Sequence, residues 1–230
     1  PQQLTTGGGA MRFAPEWSPT GDHLAFSDKD GRLFLLEVAT QAVTEVADEA
    51  RGQLRDYTWS PHGGHLAFSM TDPTDFSSIY IWSRADQTLR KITSDYFHEW
   101  NPVWDPDGNH LLYHAMEAID APLMVRDLES GHEVQLLKNL VPLGPFWASW
   151  SPDGHELAFN QITESVSGTL DTALYVASLE TASVRRLAKT VVEGSFLKRQ
   201  VAAWAVDQQS VIAVGPQGRY TQLAAIDLQR

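Results

Sequence analysis

Apolar residues in this chain come in bursts of about four to seven, closed off by Pro, Gly, Asp or Ser, and no segment sustains helical 3.6-residue spacing. The bursts repeat one another. WSPTGDHLAF from Trp17 returns as WSPHGGHLAF from Trp59, WDPDGNHLLY from Trp104 and WSPDGHELAF from Trp150, with a degenerate copy, WAVDQQSVIAV, from Trp204. Tryptophan spacings of 42, 45, 46 and 54 residues mark one supersecondary element laid round a circle or along an axis.

Each copy has the same grammar. A short strand ends at the tryptophan, and Ser-Pro-Asp-Gly-type residues then reverse the chain. Proline presets φ at the first turn position, and Gly21, Gly63, Gly108 and Gly154 supply the left-handed position after it. Second strands follow at His23–Phe26, His65–Phe68, His110–Tyr113 and Glu156–Phe159. Third strands fall at Leu33–Val38, Ile79–Trp82, Leu123–Leu128, Leu174–Leu179 and Leu223–Leu228, and fourth strands include Thr88–Thr93 and Ser183–Ala188. Four antiparallel strands per repeat describe a propeller blade.

The expected fold is therefore all-β, a five-bladed β-propeller of four-stranded antiparallel blades forming a single domain over 1–230. Its blades lie at about 13–47, 54–94, 98–140, 144–190, and 199–230 plus 1–6. The fifth repeat supplies only three strands, and Gln2–Thr5 resembles the fourth strand Leu89–Thr93. The N-terminal strand is accordingly expected to close the last blade, which removes open sheet edges. A sixth blade requires residues outside this chain. The repeated tryptophans are expected to pack between blades.

Composition narrows the function. An apolar fraction of 43% with 20% charged residues gives a core and argues against general disorder. A formal charge of −12 without a concentrated basic patch excludes the nucleic-acid backbone as partner. No run of 18 apolar residues offers a membrane-spanning helix. Without cysteine there is no disulfide, thiolate metal site or cysteine nucleophile. A start at Pro1 reads as an excised piece of a longer chain.

Catalytic signatures are missing from the sequence: no G-x-S-x-G, no H-E-x-x-H and no G-x-x-x-x-G-K. Gly7-Gly8-Gly9 reads as a flexible connection, and Asp105–Gly108 as a turn rather than a calcium loop. His23, His65 and His110 share one repeat position, spread over three blades where they cannot converge on one metal. His98 and His114, with Glu99, Glu117 and Asp120, are the one set whose loops can meet, but their spacing is not diagnostic of a metal site. No catalytic residue, metal or cofactor is expected.

Strand direction puts the Ser-Pro-Asp-Gly turns on one face and the longer, more varied loops on the other. Binding residues favour such loops on a rigid scaffold. Aromatics collect there with charged neighbours, and the candidate partner-binding residues are Arg55, Tyr57, Phe97, His98, Trp100, Phe146 and Trp147. Aromatic anchors beside arginine suit a peptide or protein partner. Packing between blades competes as a role for Trp100 and Phe146.

PEWSPTGDHLAFSDKDG, RDYTWSPHGGHLAFS, SSIYIWS and HEWNPVWDPDGNHLLY resemble the propeller region of tricorn-type proteases, over roughly Gln3 to Tyr113. More loosely, every copy is similar to the TolB-like PD40 propeller repeat. The resemblance implies a non-catalytic module that guides or binds peptides beside a protease domain of the parent chain, without counterparts here of the peptidase core. It favours a cytoplasmic setting, with periplasm or cell exterior left open. A metal-dependent lyase or hydrolase with its site in the central channel is the alternative, and a purely structural assembly domain is the third.

Overall fold

The computed structural model describes residues 3–5, 11–13, 15–49, 54–94, 96–116, 122–137, 148–164, 170–181, 183–190, 202–205, 209–217 and 220–228. Among them, strands β1 (Glu16–Trp17), β2 (His23–Ser27), β3 (Arg32–Glu37) and β4 (Val43–Asp48) form the first sheet in chain order. The second holds β5 (Thr58–Trp59), β6 (His65–Thr71), β7 (Ser77–Ser83) and β8 (Thr88–Lys91), and the third β9 (His98–Trp104), β10 (His110–Met116), β11 (Leu123–Asp127) and β12 (Glu133–Leu137). The fourth holds β13 (Ala148–Trp150), β14 (Glu156–Glu164), β15 (Leu170–Ser178) and β16 (Ser183–Thr190). The last has three strands, β17 (Ala202–Trp204), β18 (Ser210–Gln217) and β19 (Tyr220–Asp227). No helix among the described residues is long and apolar enough to cross a membrane.

The chain divides into two compact units. One comprises Pro1–Trp104, Gly108–Ala115 and Arg126–Gly131, and the other Asp105–Asp107, Met116–Val125 and His132–Arg230.

In the first unit, antiparallel register pairs Leu24 with Leu36 and Phe26 with Phe34, while Ala25 pairs with Leu35 and Ser27 with Leu33. Alternation sends these sets to opposite faces, so both faces of the sheet are apolar. Ala25, Leu33 and Leu35 join Trp59, Leu66, Phe68 and Trp82 of the second sheet in one core. Phe68, Leu33 and Leu66 are fully buried, each stabilising by about 1.5–3 kcal/mol. In the second unit, Ala158, Leu174, Val176 and Val211 form a separate cluster, with Leu187, Trp204 and Ile226 packed against it.

Three of the repeated tryptophans share one kind of hydrogen bond, and the buried Trp150 Nε1 does not make it. Trp59 Nε1 donates to the Glu16 carbonyl (3.2 Å) and Trp104 Nε1 to that of Thr58 (3.2 Å). Trp204 Nε1 donates to that of Ser149 (2.8 Å). Each acceptor is the residue just before the tryptophan of the preceding sheet. Trp17 corrects the expectation of uniform packing, since it is 55% exposed. Its sheet is the first in chain order among the described residues.

The turns repeat just as closely. Gly21 N–H donates to Ser18 O, Gly63 to Ser60 and Gly154 to Ser151, each at 2.9 Å. The serine hydroxyls then accept from His23, His65 and Glu156 N–H at 2.9–3.0 Å. Gly63 has φ 68°, and a Cβ there would meet Thr20 Oγ1 at 3.1 Å. Gly63→Ala is expected to cost about 1–3 kcal/mol, measured as the shift in urea midpoint.

The expected closing strand is not formed among the described residues. Gln3–Thr5 make no strand, and the last sheet stops at three. Leu4 instead packs against Leu24, Phe26 and Leu36, an apolar face that gives its side chain burial without backbone pairing. Arg12 fixes this course by donating to Thr5 Oγ1 (2.5 Å) while stacking over the Phe26 ring (4.9 Å).

Candidate functional site

On the varied-loop side of the first unit, three connections are locked to one another. Glu49, buried, accepts the Thr71 N–H at 3.1 Å. Asp56 accepts Ser69 N–H (3.2 Å), the Ser69 hydroxyl and Asn101 N–H (2.8 Å), so the segment before β5 holds both β6 and β9. Ser77 N–H donates to His98 Nδ1 (3.2 Å), and Ser77 Oγ to the Glu99 carbonyl (2.9 Å).

The loop between β6 and β7 is built around Asp72. Its carboxylate accepts Thr74 N–H (2.8 Å), the Thr74 hydroxyl and Lys91 Nζ (2.6 Å). Burial works against this charge, but the Lys91 ammonium and the Thr74 bonds win and hold the carboxyl well below the usual range.

The candidate residues divide by burial. Arg55 is exposed, with its guanidinium 4.0 Å over the Phe13 ring. Tyr57 lies in the core beside Leu54 and Trp59, where burial first and the nearby Glu16 charge second push its phenol pKa up. Phe97 and His98 are half-buried, and the His98 ring tilts against Phe76 at 5.2 Å. Half-buried Trp100 stacks on buried His114 at 5.7 Å. Tyr96 is 78% exposed. Phe146 and Trp147 lie outside the described residues, as do Glu117 and Asp120.

The structure thus places Arg55 and Phe97 in connections and His98 and Trp100 at the start of β9, while Tyr57 belongs to the core of the first unit. No group of three or more His, Asp or Glu among the described residues is arranged to hold a metal ion. On the turn side, His23 approaches Asp22 (3.0 Å), His65 faces Trp104 (6.3 Å) and His110 approaches Asp127 (3.7 Å). These are three separate local contacts.

Two features carry little sequence signal. Asn101 adopts φ 60° inside β9, and only the Asn-Pro pair hints at irregular backbone there. Glu16 occupies a position filled by Thr58, Val103, Ser149 and Ala203 in the other repeats. Burial pushes its carboxyl up to about 7, against a lowering hydrogen bond from the Trp59 backbone.

The sequence signature of the TolB beta propeller domain, PD40, matches residues 1–131. The chain belongs to this β-propeller family. An uncharacterised protein of Agrobacterium fabrum (strain C58) is 27% identical over 153 residues, which is 64% of this chain and 50% of that protein. The chain therefore spans half the length of the curated relative it matches. Among solved structures, the fold is similar to a putative TolB from Agrobacterium tumefaciens (TM-score 0.65, 21% identity, 96% of this chain, 78% of that one). It is similar to the tricorn protease (0.64, 10% identity, 94% and 27%) and to an oligogalacturonate lyase in complex with manganese (0.62, 16% identity, 98% and 79%). At these identities the likeness is one of fold.

Proposed function

We propose that the chain is a non-catalytic recognition module, a five-bladed propeller acting as one domain of a longer TolB-like or tricorn-like protein. It captures a peptide or protein segment on its varied-loop face. Arg55, Phe97, His98 and Trp100 make the contact, and Tyr57 braces it from the core. The observation that carries this reading is that Asp56 and Ser77 pin the start of β9, which carries the half-buried His98 and Trp100 rings, while Arg55, next to Asp56 in sequence, stays exposed over the Phe13 ring.

Selection of phage-displayed random dodecapeptides against the purified protein tests it. An enriched pool is expected, and Arg55→Ala should weaken its capture about tenfold while moving the thermal midpoint by no more than about 2 °C. Equal loss of stability and capture would assign Arg55 to packing. Elemental analysis separates the enzyme reading, which the manganese-bound lyase of like fold brings to mind. Stoichiometric Mn, Zn or Ca in the purified protein would replace recognition by metal-assisted lyase or hydrolase chemistry.

A further inference from the structure

The first strands of four sheets, β1, β5, β13 and β17, are two or three residues long, whereas β9 runs for seven. Asn101 lies within it at φ 60°. The other described non-glycine residues with positive φ, Gln41, Asp75 and Gln87, sit outside strands. The left-handed region is unfavourable for a residue with a Cβ, and the following Pro102 further restricts Asn101 towards extended backbone. Such a conformation persists only where its surroundings over-determine it.

Asp56 is part of that surrounding. Its carboxylate takes the Asn101 amide at 2.8 Å and is itself anchored on Ser69. Immediately before the kink lies Trp100, stacked on His114. Two residues earlier lies His98, pinned by Ser77. A left-handed residue inside a strand bends it and resets the alternation of side chains, much as a β-bulge does.

We infer that Asp56 is a positioning residue, which by holding the Asn101 amide fixes the kink that aims Trp100 and His98 across the varied-loop face. The role in ligand capture rests on the recognition reading above, but the kink does not.

Asp56→Ala in the full chain tests this first without a ligand, by the Trp100 indole N–H and His114 ring signals in NMR spectra. Both are expected to shift and broaden, with the Trp204 indole unchanged. Glycine adopts the left-handed region without a Cβ penalty, so Asp56→Ala/Asn101→Gly should return the Trp100 signal towards its native position. Capture of the selected dodecapeptide pool should fall about tenfold in Asp56→Ala and recover to within about threefold in the double variant. Should Asp56→Ala fail to fold, Asp56→Asn is read in the same way. Unmoved Trp100 signals overturn the proposal, as does a double variant no better than the single one while Asn101→Gly alone binds normally. If wild type and Trp100→Ala capture the pool equally, the recognition reading falls, and the indole signals still decide the kink.

Discussion

Trp59→Ala is expected to destabilise the first unit by about 3–5 kcal/mol, whereas Trp17→Ala at the same repeat position should cost no more than about 0.5–1 kcal/mol. The two residues share their local sequence but not their surroundings. Trp59 is 5% exposed, packs among Leu33, Leu35, Leu66 and Phe68, and donates to Glu16 O. Its truncation opens a cavity between two sheets and leaves that carbonyl without its indole donor, a loss of about 1 kcal/mol by itself. Trp17 is more than half exposed, so its removal takes away little buried surface. Urea midpoints, with amide exchange of Leu66 and Phe68 as local reporters, measure the difference. Equal losses for both variants would mean that Trp17 is covered in solution as Trp59 is.

The repeat made most of the fold legible before any coordinates. Strand starts at His23, His65, His110 and Glu156 coincide with those observed, because a Ser-Pro-x-Gly turn (Asp-Pro-Asp-Gly before His110) fixes where each strand begins. Strand ends were less legible. β6 runs to Thr71 and β14 to Glu164, past the apolar bursts at Phe68 and Phe159, since backbone pairing continues where side chains turn polar. The candidate site shows its aromatics in the sequence but not its framework. Asp56 reads in sequence as one more charged loop residue, and its role emerges only when Ser69 and Asn101 arrive from distant strands. Leu4 shows the converse limit. Its segment resembles a fourth strand, yet Gln3–Thr5 form none and Leu4 packs on an apolar face of the first sheet.

Glu16 should impose a pH dependence opposite in sign to that of the aspartates. Its ordinary pKa of 4.5 is pushed up to about 7 in the fold by burial, which the Trp59 backbone hydrogen bond only partly offsets. The unfolded chain releases the Glu16 proton near 4.5 while the folded chain keeps it until about 7, so stability from this residue is full below 4.5 and is lost as pH rises to 7. The loss is about 1–2 kcal/mol once solvent access to the half-buried side chain is allowed for. Asp28 and Asp72 act in the other direction: for each, burial is outweighed by hydrogen bonds and a neighbouring cation, Arg32 or Lys91, which hold the carboxyl below its ordinary 3.8. Their contribution is present above that pH and lost below it, outside the Glu16 window. Glu16→Gln keeps the shape of the side chain and removes its titration. Urea midpoints between pH 4.5 and 8 should therefore decline more steeply in the parent than in Glu16→Gln, with the variant the more stable at the upper end. Parallel curves would show that the Glu16 carboxyl is solvated, and that the first two sheets meet around an ordinary surface acid.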